Sequence, residues 1–457
     1  MLSKNSPSLF WLGTSTYALL AVLAAVFYME RTVFIDLAFH LFYLLKDGSF
    51  AIQNYRFGAF FTQMFPLLAA KAHLPLAQVM MCYSVGFVVY YAAIFLLCLR
   101  LSRPHALLLL LYQVWMVTDT FYWTQSEFSQ GVALCILWWA AVGHYERQER
   151  MPVWVTGLSP VVLLLVAFFH PLMAVVFLYM AAYQGLHPGL APQRRLVASG
   201  VVSFVGMLVL KTRFFKTQYD ADASERLGHL FQLKQYWGTP VWGQFFSLLW
   251  SHFYLLALGL AVAAVALVRE RAWGRLALML FSLLGYLLVV NTSYPEGAED
   301  FYLENLYLPL SLMVLLPLVL DVLPALPARW STAAVAVALA LRLAHIGWQH
   351  APYTARLDWE RQWLRRNATE DKLIFADAVA PMDTMLMTWG TGYEFWLLST
   401  VEEGRTRSVL IDDSPRQFGW AMNDSRLFLT KWGAFPYEKL PQRYFIFRDT
   451  VRRYELR

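Results

Sequence analysis

Apolar runs long enough to cross a lipid bilayer recur along this chain, and they restrict its fold more than any other feature. A membrane-crossing helix needs about 20 mostly apolar residues, because the hydrocarbon core is about 30 Å thick and a helix rises about 1.5 Å per residue. The sequence offers eleven candidate spans, at about 8–29, 76–99, 105–119, 128–144, 153–169, 172–187, 196–211, 244–268, 275–291, 306–324 and 330–347, of which the third and sixth are short. The first run is long, and no small-residue cleavage site precedes the polar stretch after Tyr28, so it reads as a retained span rather than a signal peptide. Composition agrees: 58% of the 457 residues are hydrophobic and 15% are charged, against roughly 45–50% and about 25% in soluble domains. This excludes a soluble enzyme, a disordered chain and a nucleic-acid-binding module. Cys82, Cys98 and Cys135 all sit inside apolar runs and form no disulfide framework. Zinc-type Cys/His spacing, a Walker lysine loop and a Gly-rich dinucleotide fingerprint are all absent from the sequence.

The net charge of +6 is read as an orientation signal, since short cytoplasmic loops of membrane proteins carry the excess Lys and Arg. One alternating set of short loops holds Lys4, Arg100 and Arg103, Arg147 and Arg150, Arg194 and Arg195, Arg269, Arg271 and Arg275, and Arg329. This predicts a multi-pass protein with a cytoplasmic N-terminus. The tail after about residue 348 and the long polar connections 30–75, 211–243 and 291–305 fall on the outer side, which is the periplasm for a Gram-negative inner membrane. The chain therefore divides into a transmembrane domain, 1–347, and an extracytoplasmic domain, 348–457. The tail has charge throughout, strand-like runs at Lys372–Asp377, Ser408–Ile411 and Arg443–Arg448, a helix-like stretch at Ala355–Arg366 and five punctuating prolines. It reads as a small α/β domain large enough for its own core.

The first outer loop is the most informative segment. From Phe34 to Leu45 it is apolar except for Asp36 and His40, which are four residues apart and share a face of a helix. A helix lying along the membrane surface and ending at Gly48 is expected, followed by a second interfacial or re-entrant segment, Ala59–Ala70, broken by Pro66. Asp36 is a candidate general base or metal ligand, because a carboxyl group in a partly dry site has a raised proton affinity suited to taking a proton from a hydroxyl. The plainer reading is an Asp that caps or solvates the surface helix. His40 is either its partner or an ordinary hydrogen-bonded histidine, and Glu30 reads as a solvated partner of Arg31.

Other outer-side residues join this set. Glu127 begins an apolar run after an aromatic loop whose Tyr122 and Trp123 suit an interfacial belt. His170 lies at a tight turn and is either a turn residue or a cavity-lining one. Arg56, and Lys211 and Arg213 at the end of a span, are candidates for holding a phosphate; snorkelling at a helix end is the alternative for the last two. In the acidic stretch 291–307, Tyr294, Glu296, Tyr302 and Glu304 are candidates for sugar or divalent-ion contact, against a solvated acidic loop. The segment Trp389-Gly-Thr-Gly-Tyr393-Glu394 suits either a sugar-contacting loop or core packing.

The layout resembles the GT-C superfamily of integral-membrane glycosyltransferases. The likeness rests on the overall topology, on Asp36-Leu-Ala-Phe-His40 with Asp47-Gly48 in the first outer loop, and on the aromatic-acidic stretch Tyr302–Pro309 that leads into a span. Many members have a paired acidic motif in that loop, whereas here Asp36 stands alone with Glu30 six residues earlier. The resemblance implies a polyprenyl-phosphate-linked sugar donor taken from among the membrane lipids. It also implies a hydroxyl acceptor on a glycan, lipid or protein, and inverting transfer on the outer face. A divalent metal such as Mg²⁺ or Mn²⁺ at Asp36 is compatible with it, and no cofactor is required by the sequence. The competing readings are a transporter or lipid flippase without covalent chemistry, and a non-catalytic membrane assembly subunit. An oligosaccharide polymerase or ligase is a close cousin of the first reading.

Overall fold

The computed structural model describes residues 8–124, 127–146, 152–188 and 194–456; Lys4, Arg147 and Arg150 of the basic loops lie outside the described residues. The protein is 75% helical. Among the described residues, six helices are long and apolar enough to cross a membrane: Ser8–Val26, Leu76–Leu101, Val197–Phe214, Trp273–Ser293, Asp300–Ala325 and Ala328–Arg366. Counting the bent pair Pro240–Ser251 and Tyr254–Arg269 as one span gives seven. The outward faces are apolar, with Trp11, Val22, Val202, Phe281 and Val337 all exposed, as a helix facing lipid requires. This is a helical membrane protein.

The remaining apolar runs are helical too, but shorter than the sequence suggests. The run 105–119 is a 13-residue helix, Arg103–Trp115, and 153–169 and 172–187 are Val153–Phe169 and Met173–Leu186, of 17 and 14 residues. At about 1.5 Å per residue these reach roughly 20–25 Å, less than the hydrocarbon thickness. The run 128–144 is the 20-residue helix Glu127–Glu146. The run 244–268 breaks by 83° at His252–Phe253. There Leu248 O accepts both the His252 and Phe253 amides, and His252 O accepts from buried Arg342 Nη1 at 2.6 Å. A side chain that takes carbonyls out of the helical ladder is a recognised cause of a sharp bend.

Both helices expected in the first loop form, and the first is buried in the protein along most of its length. Ile35–Asp47 is a helix closed by Gly48 in the left-handed conformation, φ +61°, where a residue without Cβ carries no steric penalty. Phe60–Lys71 follows, with Pro66 inside it. It lies against Leu76–Leu101 at Gly86, where a Cβ would stand 2.6 Å from the Phe65 ring.

In the tail, strands β1 (Lys372–Ala376) and β2 (Ser408–Asp412) run parallel, with Leu373 opposite Val409, and β5 (Glu455–Leu456) flanks β1 in the order β2-β1-β5. Strands β3 (Leu427–Thr430) and β4 (Gly433–Pro436) form a hairpin. The strand expected at Arg443–Arg448 does not form. Thr406 N donates to Ile446 O at 2.7 Å, but the Ile446 amide goes to the Thr406 hydroxyl at 2.8 Å, so no ladder propagates. The helix expected at Ala355–Arg366 is Ala351–Arg366, and it continues the last apolar helix into one 39-residue rod. Only a small cluster around Ile374, Leu410 and Leu429 is the tail's own apolar core. Its larger core is shared with helix Ile35–Asp47: Phe42 packs against the rings of Tyr393, Trp396, Phe428, Phe435 and Phe445 at 5.0–5.5 Å.

Candidate functional site

Helix Ile35–Asp47 begins under constraint. Ile35 is β-branched and has φ +33°, a conformation that costs free energy and persists only where its surroundings impose it. Those surroundings come from the tail. Ile35 N donates to Glu394 Oε1 at 2.7 Å, and Arg356 Nη2 holds the other oxygen of that carboxylate. Gly390 lies against the Ile35 backbone, where a Cβ would stand 2.8 Å from Ile35 Cα. The next residue, Asp36, is thereby fixed in the helix's first turn.

Asp36 lines a cavity of about 290 Å³. Its Oδ2 accepts from Trp123 Nε1 at 2.5 Å, and the Trp123 ring is held by Phe301 and Tyr302 at 5.0 and 5.7 Å. His40 lines the same cavity one turn on. Its Nδ1 lies 3.2 Å from Ala51 O and 3.4 Å from Gln63 Nε2. Gln63 clamps Ala51 from both sides, accepting its amide at 2.8 Å and donating to its carbonyl at 3.0 Å. Arg56 and Glu127 form an ion pair at 2.8 Å on another wall. His170 Nδ1 accepts the Leu172 amide at 3.2 Å, which leaves Nε2 as the protonated nitrogen of the neutral ring. Trp389 brings the tail into the lining, beside Met387.

Burial pushes the Asp36 carboxyl up to about 6, assisted by the negative charge of Glu127 and opposed by the Trp123 hydrogen bond. Burial pushes both His40 and His170 down, His170 further because Arg56 and Lys211 are near it. At neutral pH the site thus holds an ionised carboxylate of raised basicity between two neutral imidazoles. Trp123→Phe is expected to move Asp36 further up by about 0.5–1 pH unit, since the lost N–H bond favours the charged form. A pH titration of the Asp36 carboxyl would move to higher pH by that amount, and an unmoved titration would break the link between Trp123 and Asp36. Among the described residues, no three His, Cys, Asp or Glu side chains come together as a metal-holding group.

Seven of the residues singled out from the sequence as candidate contacts therefore meet in one cavity: Asp36, His40, Arg56, Glu127, His170, Tyr302 and Trp389. The others lie elsewhere. Glu304 is fully buried and accepts from the amides of Thr118, Asp119 and Thr120 and from two threonine hydroxyls. Tyr294 connects Arg226, at 2.7 Å, to the hydroxyl of Tyr302, at 3.0 Å. Glu296 and Arg213 are exposed, and Lys211 lies 3.7 Å from Asp220 and 5.7 Å over the Phe168 ring. Of the loop 119–127, Gln125 and Ser126 lie outside the described residues.

Sequence reasoning passed over Trp123, which looks like an interfacial-belt residue until its indole N–H is seen on Asp36. Gln53, Asn54 and Asn305 also line the cavity; Asn305 belongs to the acidic stretch 291–307 that the sequence marks out, and no spacing pattern marks Gln53 and Asn54. Glu394 is fully buried in the ion network with Arg356 rather than facing the cavity. No family model, no curated protein and no solved structure matches this chain.

Proposed function

We propose that this chain is a membrane glycosyltransferase of the GT-C type that transfers a sugar from a polyprenyl-phosphate donor to a hydroxyl acceptor on the outer face of the membrane, with inversion. In this reading the eleven apolar runs all contribute to the membrane domain, the N-terminus is cytoplasmic, and the long loops and tail are extracytoplasmic. The observation that carries it is the environment of Asp36: a carboxyl group raised to about 6 in a cavity walled by aromatic rings, neutral histidines and one arginine.

The acceptor oxygen forms a bond to the anomeric carbon while the bond from that carbon to the phosphate oxygen breaks. The acceptor proton passes to Asp36, and the polyprenyl phosphate leaves with the bonding electron pair. At pH 7 a group with a pKa near 6 is ionised about ten to one, so Asp36 is in its basic form yet more basic than an ordinary aspartate. Arg56, oriented by Glu127, and the His170 Nε2–H offset the charge growing on the leaving phosphate. Trp123, Tyr302 and Trp389 give the sugar flat apolar faces to stack on. Because phosphate is already a competent leaving group, positioning and electrostatics supply most of the acceleration.

Incubation of the purified protein with a polyprenyl-phosphate-linked sugar, radiolabelled in the sugar, tests this reading. Time-dependent release of free polyprenyl phosphate is expected, slow with water as acceptor and faster when the hydroxyl acceptor is present. Recovery of intact donor only, bound or moved across reconstituted vesicles, would replace transfer with transport.

A further inference from the structure

Arg31 is a buried cation with no anionic partner. It is 1% exposed, and among the described residues no carboxylate lies within ion-pair distance of it. The adjacent carboxylate, Glu30, is engaged by the Thr354 hydroxyl at 3.0 Å. The Arg31 Nε–H goes to Ser84 Oγ at 2.7 Å, one Nη2–H goes to Ser84 O at 3.1 Å, and Nη1 donates to Phe121 O. A guanidinium has five N–H donors, so two remain without an acceptor among the described residues.

Arg31 lines a small cavity of about 50 Å³ that shares no lining residue with the Asp36 cavity. The Tyr17 side chain, 5% exposed, lines it with a buried hydroxyl that has no hydrogen-bond partner, and the Gln113 Nε2 amide is likewise buried and unpartnered. Thr124 and Ser129 add hydroxyls. A single water needs roughly 10–15 Å³ on this scale, so the space suits one halide-sized ion with a water or two. The unmatched groups are an excess of donors around a full positive charge. The Phe121 ring, 4.1 Å from the guanidinium carbon, offsets part of the cost of burying this ion, and an anion in the cavity offsets the rest while satisfying the donors.

We infer that the Arg31–Tyr17 cavity is a binding site for a small monovalent anion of the chloride class. Because Arg31 also holds the Phe121 carbonyl, the ion braces the segment that carries Trp123 two residues later.

The test is the melting temperature of the detergent-purified full chain, titrated with sodium chloride or bromide against sodium gluconate at constant ionic strength. Halide is expected to raise it saturably by about 3 °C. Tyr17→Phe removes one donor and is expected to raise the half-saturating halide concentration about fivefold. Arg31→Met is expected to abolish the halide response; if that variant does not fold, Tyr17→Phe alone decides. Equal melting in chloride and gluconate, indicating water only, would overturn the inference. So would an unchanged half-saturation in Tyr17→Phe, or a halide response that survives in folded Arg31→Met.

Discussion

Asp36→Asn is expected to lower sugar transfer by about 10²–10⁴-fold, the range in which a positioned general base contributes, while leaving the protein at least as stable as the wild type at pH 8. The two effects share one cause. The Asp36 carboxyl titrates near 6 in the folded protein and near 3.9 in an unfolded chain. Between those values the folded state holds a proton that the unfolded state has released. Stability therefore falls as pH rises through this window and stays lower above it. The full cost is on the order of 1–3 kcal/mol at neutral pH. An asparagine carries no such cost, and its side-chain oxygen still accepts the Trp123 N–H. Thermal unfolding from pH 4 to 8 should show the two proteins melting together at the acid end, with a gap in favour of the variant opening by about pH 6 and then holding constant. Full transfer activity in the variant would remove Asp36 from the chemistry, and a variant that melts earlier at pH 8 would make Asp36 a structural carboxylate.

Much of this architecture is written in local pattern, and what is missing from the sequence is what depends on distant partners. Helix Ile35–Asp47 and its stop at Gly48 follow from spacing and from one glycine, so both are legible. That Asp36 and His40 share a face follows from the period alone. Their meeting with Arg56, Glu127 and His170 is not legible in the sequence, because loop charges carry no distances. The bend at His252 has no proline or glycine to announce it; it arises from Arg342, 90 residues away, which takes a backbone carbonyl. The shared core of the tail is similarly hidden. Phe39 and Phe42 look like residues of a surface helix facing lipid, and only the fold shows them buried against Tyr393 and Trp396. Trp123 reads from the sequence as a belt residue, and Glu394 as either a sugar contact or a core residue. An aromatic at the interface and an acid beside glycines each suggest a common environment, and neither residue type reveals that one reaches Asp36 and the other pins the residue before it.

Glu304 separates structural acids from chemical ones most sharply, and Glu304→Ala is expected to destabilise the protein by about 3–5 kcal/mol. Its two oxygens accept the amides of Thr118, Thr120 and Asp119 at 2.7, 2.9 and 3.2 Å, together with the hydroxyls of Thr118 and Thr120. The side chain has no solvent exposure, so no water replaces the lost acceptors, and each stranded backbone N–H costs about 1–3 kcal/mol. The turn it anchors has two duties. Trp123, whose amide is tied back to Asp119 O at 2.9 Å, presents its indole to Asp36. The Asp119 side chain accepts from Gln349 at 2.8 Å and from Tyr353 at 3.2 Å, locking the turn to the rod that leads into the tail. Glu304→Ala should therefore lower the melting temperature and loosen the site together, the reverse of Asp36→Asn. Glu304→Gln should fall between the two, because the amide keeps one acceptor but turns an NH₂ group toward backbone donors. Glu296→Gln, at an exposed position, should melt with the wild type. Melting curves of these variants, with transfer assayed well below the lowest melting temperature, give the decision. A Glu304→Ala protein that melts normally yet has lost transfer would return Glu304 to the substrate.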